Sequence, residues 1–284
     1  MNRPVSSNPG RSNRPGKRKP PVVRDPAPGA TNTSGKTGST AATGAARPAP
    51  ATPTKATPSA PAAVVATGIC KRYGDAEALA PLDLRVEEGQ RVTLIGHNGS
   101  GKTTLLRMLT GMLEPSEGSA TISGHPLGSV ESRASISYLS DQPVFYDDLS
   151  VWEHLEYIAK LHGHDDWEGH ATDLLETVDL LDRRDDLPTT FSRGLRQKAA
   201  IALAFIRPFG LMLVDEPFVG LDRTGRDALL ELFDRVHADG AALVVATHEL
   251  TTVGSAQRLV ALRDGALVYD GKPQGADVEA LVAR

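Results

Sequence analysis

The stretch Gly96-His97-Asn98-Gly99-Ser100-Gly101-Lys102-Thr103 follows the apolar segment Arg91–Ile95 and leads into a run of helical composition over 104–109. Its spacing, Gly, four residues and Gly-Lys-Thr between a strand and a helix, is typical of a loop that cradles nucleotide phosphates. Glycines let the backbone curl so that successive N–H groups face an anion. The helix N-terminus adds positive charge there, Lys102 can reach the β- and γ-phosphates, and the Thr103 hydroxyl can hold Mg²⁺. The stretch predicts a phosphate-binding loop.

A second motif, Leu211-Met212-Leu213-Val214-Asp215-Glu216, consists of four apolar residues followed by two carboxylates. This pattern predicts a buried strand whose acidic residues lie at its carboxyl end, where open α/β sheets bind ligands. Asp215 is then a candidate for Mg²⁺, directly or through water. Glu216 is a candidate to polarise the water that attacks a γ-phosphate.

Strands and helices alternate along the chain after residue 63. Uninterrupted apolar runs predict buried strands over 211–214 and 242–247. Further strands are predicted over 64–67, 82–86, 91–95, 119–122, 136–139, 259–262 and 266–269. Helical periodicity predicts helices over 101–109, 150–161, 168–181, 192–207 and 223–238. The pattern predicts an α/β fold with a mostly parallel sheet, antiparallel strands at its N-terminal side and an inserted helical subdomain at about 145–207.

The first 62 residues differ from the rest in composition and charge. They carry ten Lys or Arg and one Asp among Pro, Ala, Gly, Ser and Thr, whereas residues 63–284 carry 21 basic and 34 acidic residues. Such a segment buries too little apolar surface to offset its ordering entropy, so we expect residues 1–62 to be a disordered basic tail. The tail could attract an anionic membrane or nucleic acid, or it could be solvated without a fixed partner.

Composition also limits where the chain works. The longest apolar run, over 199–206, is far shorter than the roughly 18 residues of a membrane-spanning helix, and no secretory signal pattern follows the basic start. The single cysteine, Cys70, excludes an internal disulfide and agrees with a reducing compartment. We therefore expect a protein that acts from the aqueous phase.

These motifs, with four shorter ones in the same order, make residues 63–284 resemble the ATP-binding subunit of ATP-binding cassette (ABC) transporters. The resemblance implies a P-loop NTPase core that binds ATP through residues 96–104, including Thr104. Tyr73 matches the residue that stacks on adenine, and Gln142 the glutamine that joins the metal and γ-phosphate to the helical subdomain. Asp222, in Gly220-Leu221-Asp222, matches the loop that crosses to the opposite subunit, and His248 the histidine that contacts the γ-phosphate.

The family's signature, usually Leu-Ser-Gly-Gly-Gln, is altered to Phe191-Ser192-Arg193-Gly194-Leu195. Ser192 and Gly194 are retained, and the resemblance implies that they meet the γ-phosphate of a second subunit at a helix N-terminus. Arg193 and Leu195 replace a glycine and a glutamine, as in some exporter-type relatives. The catalytic set implied by the resemblance is Glu216, His248 and Gln142, and the metal set is Thr103, Gln142 and Asp215.

The resemblance further implies an ATP hydrolase that uses ATP and Mg²⁺, pairs as a homodimer or with another ATPase subunit, and drives a separate integral-membrane permease. Its place would be cytoplasmic, peripheral on the inner face of the cell membrane, with no nucleic acid partner. The permease would dock beside Gln142, the 143–149 loop and the helix from Ser150, and the altered signature favours export. Two alternatives stay open from sequence: a soluble ABC-type ATPase outside transport, and a nucleotide-binding regulator that does not hydrolyse ATP.

Overall fold

The structure is a computed structural model that describes residues 62–248 and 256–282. The described residues all belong to one compact unit, 55–284. The predicted disordered tail lies outside the described residues except for Ala62, which begins the first strand. Within the described part of the chain, no helix is long and apolar enough to cross a membrane.

The N-terminal strands form a four-stranded antiparallel sheet with the order β2-β1-β4-β5. The first two strands are longer than the sequence predicts, since they form one hairpin in which Tyr73 pairs with Ala76. Position 74 is a glycine with φ of 59°, which the tight turn requires. The strands are β1 (Ala62–Tyr73), β2 (Ala76–Glu87), β4 (Glu117–Ile122) and β5 (His125–Pro126).

The second sheet has six strands in the order β10-β9-β3-β8-β7-β6. Every neighbouring pair is parallel except β10 with β9, so the prediction of a mostly parallel sheet is confirmed. Parallel pairing brings the carboxyl ends of β3, β7 and β8 to one edge of the sheet. The strands are β3 (Arg91–Ile95), β6 (Ile136–Leu139), β7 (Leu211–Asp215), β8 (Ala242–Thr247), β9 (Arg258–Arg263) and β10 (Ala266–Gly271).

Helices cover the sheets and fill the interval between β6 and β7, which contains three helices, two 3-10 turns and no strand. Ser150 starts α3 with a capping box, in which its hydroxyl accepts from the Glu153 N–H and the Glu153 carboxylate accepts from the Ser150 N–H. The helices are α1 (Lys102–Leu109), α2 (Val130–Ala134), α3 (Val151–Leu161), α4 (Glu168–Thr177), α5 (Arg193–Phe205), α6 (Arg223–Ala238) and α7 (Val278–Val282), and the 3-10 turns are Leu181–Arg183 and Pro188–Thr190.

Two helices end earlier than their periodicity predicts. The fourth ends at Thr177 rather than near 181, because Asp179 adopts φ of 57°, a left-handed conformation that stops a helix. The fifth ends at Phe205 rather than 207, since Pro208 disfavours helical conformation in the residue before it. Both endings arise from single residues that a periodicity count does not weigh.

Alternate residues of the central strands enter two separate cores. Met212 and Val214 pack with the helices α3–α6, whereas Leu211 and Leu213 pack with α1 and the antiparallel sheet. A strand buried on both faces must be apolar at every position, as β7 is up to Asp215. The central sheet is therefore held rigidly, and the loops at its carboxyl edge are placed by it.

Candidate functional site

The loop between β3 and α1 is held in a conformation that only glycine tolerates at two positions. A Cβ atom on Gly96 would lie 2.3 Å from the Leu262 carbonyl oxygen and 2.4 Å from Ser100 Oγ. Gly101, with φ of 102°, precedes the first residue of α1 and lies against Ala78 and Leu79 of β2. The loop therefore packs closely on its surroundings and presents the N-terminus of α1 to the space above it.

Lys102 lies inside this loop with only 5% of its surface exposed. Its ammonium group donates to the carbonyl oxygens of Gly96, at 2.7 Å, and His97, at 3.3 Å. The same Nζ atom lies 3.4 Å from Glu216 Oε1, so the end of β7 contacts the loop directly. Lys102 can exchange the neutral carbonyl oxygens for a phosphate that reaches the loop, because a hydrogen bond between two charged groups is stronger.

Asp215, the last residue of β7, is completely buried, and neither of its carboxylate oxygens has a hydrogen-bond partner among the described residues. Burial raises the pKa of the Asp215 carboxyl above its usual range, the Thr103 hydroxyl partly lowers it, and the charge of Asp141 raises it further. An unpartnered buried carboxylate is costly, and a cation removes that cost. Asp215 and Thr103 thus fit a Mg²⁺ ion that a nucleotide brings to the loop.

Glu216 has a left-handed backbone, with φ of 46°, which is uncommon for a residue with a side chain. Its N–H donates to the Ala246 carbonyl at 2.8 Å, and its Oε2 atom accepts from His248 Nδ1 at 2.8 Å and from the His248 N–H at 3.3 Å. These contacts to β8 and to the residue after it hold the strained conformation. Such strain concentrates at active sites, where it aims a side chain.

A cavity of about 620 Å³ opens above the loop. Its lining brings together six residues of the loop and α1 that the sequence singled out, and Glu216, which follows β7. Three further carboxylates, which sequence reasoning missed, also line it: Glu77, Asp141 and Asp264. The lining from the predicted set is Asn98, Gly99, Gly101, Lys102, Thr103, Thr104 and Glu216.

Tyr73 and Gln142 are among the predicted residues that do not line this cavity. Tyr73 is half-exposed at the end of β1, with the Lys71 ammonium 5.1 Å from its ring centroid. Gln142 lines two other cavities, although the preceding residue, Asp141, does line the cavity above the loop. Only the path of the chain after β6 determines which of these two neighbours faces the loop, so no local sequence signal separates them.

The altered signature lies at the start of α5, away from the cavity. Ser192 caps that helix, since its hydroxyl accepts from the Leu195 N–H at 3.3 Å. Gly194 approaches the neighbouring loop so closely that a Cβ on it would lie 2.7 Å from the Gly220 carbonyl oxygen. Arg193 packs its aliphatic carbons over Gly220, and Asp222 caps α6 by accepting from the Gly225 N–H at 2.7 Å. Ser192, Arg193, Gly194 and Asp222 thus lie around the start of α5 and the neighbouring loop, and none of them lines the cavity above the phosphate loop of the same chain.

Comparison with known proteins assigns the family. Residues 79–219 match the family model for the ABC transporter. A putative ABC transporter ATP-binding protein from Halobacterium salinarum is 38% identical over 209 residues, which is 71% of this chain and 90% of that protein. The chain belongs to the ABC transporter family. The SkfA peptide export ATP-binding protein SkfE of Bacillus subtilis is 31% identical over 205 residues, 71% of this chain and 86% of that protein.

Solved structures agree with this assignment to the ABC family. An ATP-binding subunit of an ABC transporter is 31% identical, covers 77% of this chain and 97% of its own, and superimposes with a TM-score of 0.72. A dimeric ATP-binding cassette in a post-hydrolysis state, bound to ADP and Pi, is 25% identical, covers 75% of this chain and 100% of its own, and gives a TM-score of 0.68. The chain is thus an ABC-type ATP-binding subunit and an ATP hydrolase with a P-loop NTPase fold.

Proposed function

We propose that this subunit hydrolyses ATP at a site completed by a second ATPase subunit, and that closure and opening of the pair drive a separate membrane permease. The observation that carries the proposal is the position of Glu216. One oxygen of its carboxylate lies 3.4 Å from Lys102 Nζ and the other 2.8 Å from His248 Nδ1, beside the buried and unpartnered Asp215. A base is thus held between a phosphate-binding cation and a histidine.

Hydrolysis then requires only a small rearrangement of these side chains. Lys102 exchanges the carbonyls of Gly96 and His97 for the β- and γ-phosphates, and Glu216 is released from it. A water oxygen attacks the γ-phosphorus, its proton passes to Glu216, and the bond to the bridging oxygen breaks so that ADP leaves with the electron pair. His248 orients Glu216 and contacts the γ-phosphate. A Mg²⁺ ion bound with the nucleotide would be held by Thr103 and Asp215 and would offset the charge of the phosphates.

The nucleotide extends from the phosphate loop toward the end of β1. Residues 96–104 hold the phosphates, and Tyr73 stacks on adenine, for which a half-exposed ring at a strand end is available. Ser192 and Gly194 contribute from the second subunit, because their surface in one chain lies apart from that chain's own cavity. The dimer of the related cassette bound to ADP and Pi supports this pairing. Asp222 lies on the same surface and belongs to the crossing loop.

The partner is an integral-membrane permease that docks on the helical subdomain, which we place at about 145–207. A groove of about 660 Å³ lies between the loop after Gln142, the end of α3 and α5. Its rim exposes large apolar side chains, with Val144 93% exposed, Met112 71% and Leu161 66%. Exposed apolar surface of this kind marks a protein interface. The subunit would then be peripheral on the cytoplasmic face of the membrane. Export is the favoured direction, because one relative is an ATP-binding protein of peptide export.

The test compares Glu216→Gln with the unmodified chain in a phosphate-release assay. The substitution keeps the shape but removes the basicity, so we expect turnover to fall by about 10² to 10⁴ while ATP still binds and accumulates in a closed dimer. A turnover equal to that of the unmodified chain at saturating ATP would show that another residue is the general base. Isolation of the chain with a membrane permease, whose presence stimulates the ATPase, tests the transport role separately.

A further inference from the structure

A separate cavity of about 460 Å³, which we call the α4–α6 cavity, lies between α4, the end of α5 and α6. Its lining includes Asp173, Leu174, Phe205, Phe209, Leu232 and Asp239. Among the residues that the structure describes, it shares no lining residue with the cavity above the phosphate loop. Small-molecule sites have volumes of roughly 300–1,000 Å³, so the α4–α6 cavity is large enough for a ligand of its own.

The inner part of the α4–α6 cavity is apolar. Four of its lining residues are at most 4% exposed: Leu174, Phe205, Ile206 and Leu232. The ring of Phe209 meets that of Phe205 edge-on, with 6.1 Å between the ring centroids. All five side chains belong to the core between α3 and α6 or pack against it. The apolar body of a ligand would therefore contact side chains that the core already holds in place.

The exposed part of the lining carries two carboxylates. Asp173 lies on α4, and Asp239 directly follows α6. Within the ranges 62–248 and 256–282, neither of these side chains makes a hydrogen bond or an ion pair. The segment 164–186, which contains α4, has nine acidic and two basic residues. The α4–α6 cavity therefore opens into a negative electrostatic field, which favours a cation.

The cationic side chains of the lining already have partners. Arg235 donates to the Glu231 carboxylate at 2.6 Å, and the Arg207 guanidinium donates to three backbone carbonyl oxygens. His170 Nε2 lies 3.0 Å from a backbone carbonyl oxygen of α5, so this nitrogen carries a proton and donates. His164 both donates and accepts when it is neutral. The hydrogen-bonding capacity that a ligand would meet is thus chiefly that of the two carboxylates.

The α4–α6 cavity lies next to the groove that we propose for the permease, and the end of α5 separates the two. Leu203 and Ala204 line the groove, Phe205 and Ile206 line the cavity, and Arg207 lines both. A ligand in the cavity would therefore pack against the same helix end that forms the docking groove.

We propose that the α4–α6 cavity binds a small organic cation with an apolar body, such as an aromatic or alkyl ammonium. The body packs on Phe205, Phe209 and Leu232, and the ammonium group donates to Asp173 or Asp239. Hydrogen bonds between two charged groups are shorter and stronger than neutral ones, and an aromatic face attracts a cation further. Because the two cavities share no lining residue among the described ones, this ligand and ATP bind at the same time.

Fluorine NMR of the full chain tests this assignment with a ring-fluorinated phenylbutylammonium as the probe. The phenylbutanol and the phenylbutyrate with the same fluorinated ring are the uncharged and anionic controls. We expect the ammonium to bind about threefold more tightly than the alcohol and about tenfold more tightly than the carboxylate, as exposed ion pairs allow. The double variant Asp173→Asn/Asp239→Asn should weaken binding of the ammonium about tenfold, since two exposed ion pairs are removed, and should leave binding of the alcohol almost unchanged.

Glu176→Gln is the matched control, because it removes an exposed carboxylate of α4 that does not line the cavity, and it should leave the dissociation constant almost unchanged. Val236→Trp should abolish binding by filling the cavity, and its melting temperature shows whether it folds. The inference would be overturned if the ammonium did not bind, if the alcohol or the carboxylate bound as tightly, or if the double variant kept its affinity. Loss of binding at saturating ATP would also overturn it, since the probe would then occupy the acidic cavity above the phosphate loop.

Discussion

Replacement of Asp215 by Asn should stabilise the protein in the absence of metal and nucleotide. The side chain is completely buried, and its two oxygens lack hydrogen-bond partners among the described residues. A buried polar group left unsatisfied costs about 1–3 kcal/mol, and a charged one costs more. The amide also remains unpartnered, so we take the gain as about 1–2 kcal/mol, which corresponds to a rise in Tm of about 2–8 °C for a folded region of this size.

The pH dependence of this gain follows from the direction of the pKa shift. Burial raises the pKa of the Asp215 carboxyl in the folded state. The unfolded chain therefore loses this proton first, near about pH 4, and the free energy of unfolding falls as pH rises from there to the folded pKa. Below about pH 4 the Asp215 carboxyl is protonated in both the folded and the unfolded chain, so the unmodified protein and Asp215→Asn should differ least in the free energy of unfolding. The advantage of Asp215→Asn should grow with pH and then stay constant.

Calorimetric melting curves between pH 4 and pH 8, in buffer with EDTA, measure this difference. Asp264→Asn is the control, since the Asp264 side chain is 82% exposed and its removal should shift Tm little. Mg²⁺ with an ATP analogue should raise Tm of the unmodified chain by mass action, and that increment should be lost in Asp215→Asn. A Tm of Asp215→Asn below that of the unmodified chain at pH 8 without metal would refute the reasoning.

Two further predictions concern the surface at the start of α5. Gly194→Ala would place a Cβ 2.7 Å from the Gly220 carbonyl oxygen, so it should lower both Tm and turnover. Its control is Gly169→Ala inside α4, where the new Cβ would meet nothing within 4 Å and should raise the free energy of unfolding by up to about 1 kcal/mol. Equal Tm values of the two variants in calorimetry would contradict the close approach at Gly194. Ser192→Arg should leave ATP binding by a single chain intact but block dimer closure and hydrolysis. Mixing this variant with Lys102→Ala should restore part of the phosphate release, because one of the two shared sites in the mixed dimer is undamaged. Full activity of Ser192→Arg as a monomer would exclude a shared site.

The elements that the sequence predicted well depend on short-range interactions. The strand before the phosphate loop and the starts of the helices near 101, 150, 192 and 223 were predicted, and in the structure Gly101, Ser150, Ser192 and Asp222 precede these helices, with groups that interact within a few residues of one another. Such contacts form whenever the local conformation forms, so the local pattern is sufficient to predict them. The apolar strand that ends in Asp215 is predictable for a similar reason, because burial on both faces requires uninterrupted apolar residues.

The contacts that make the site depend on which strands are neighbours. Glu216 meets His248 because β7 pairs with β8, and it meets Lys102 because β3 lies on the other side of β8. The path of the chain after β6 likewise decides that Asp141, and not Gln142, lines the cavity above the phosphate loop. Glu216, His248 and Lys102 are far apart in sequence, and Asp141 and Gln142 are neighbours that the local pattern does not separate. Only the packing of the whole core, which fixes the order of the strands, decides which of these side chains come close together. The sequence alone determined the candidates and their local structure, and the tertiary structure decided which of them face one another.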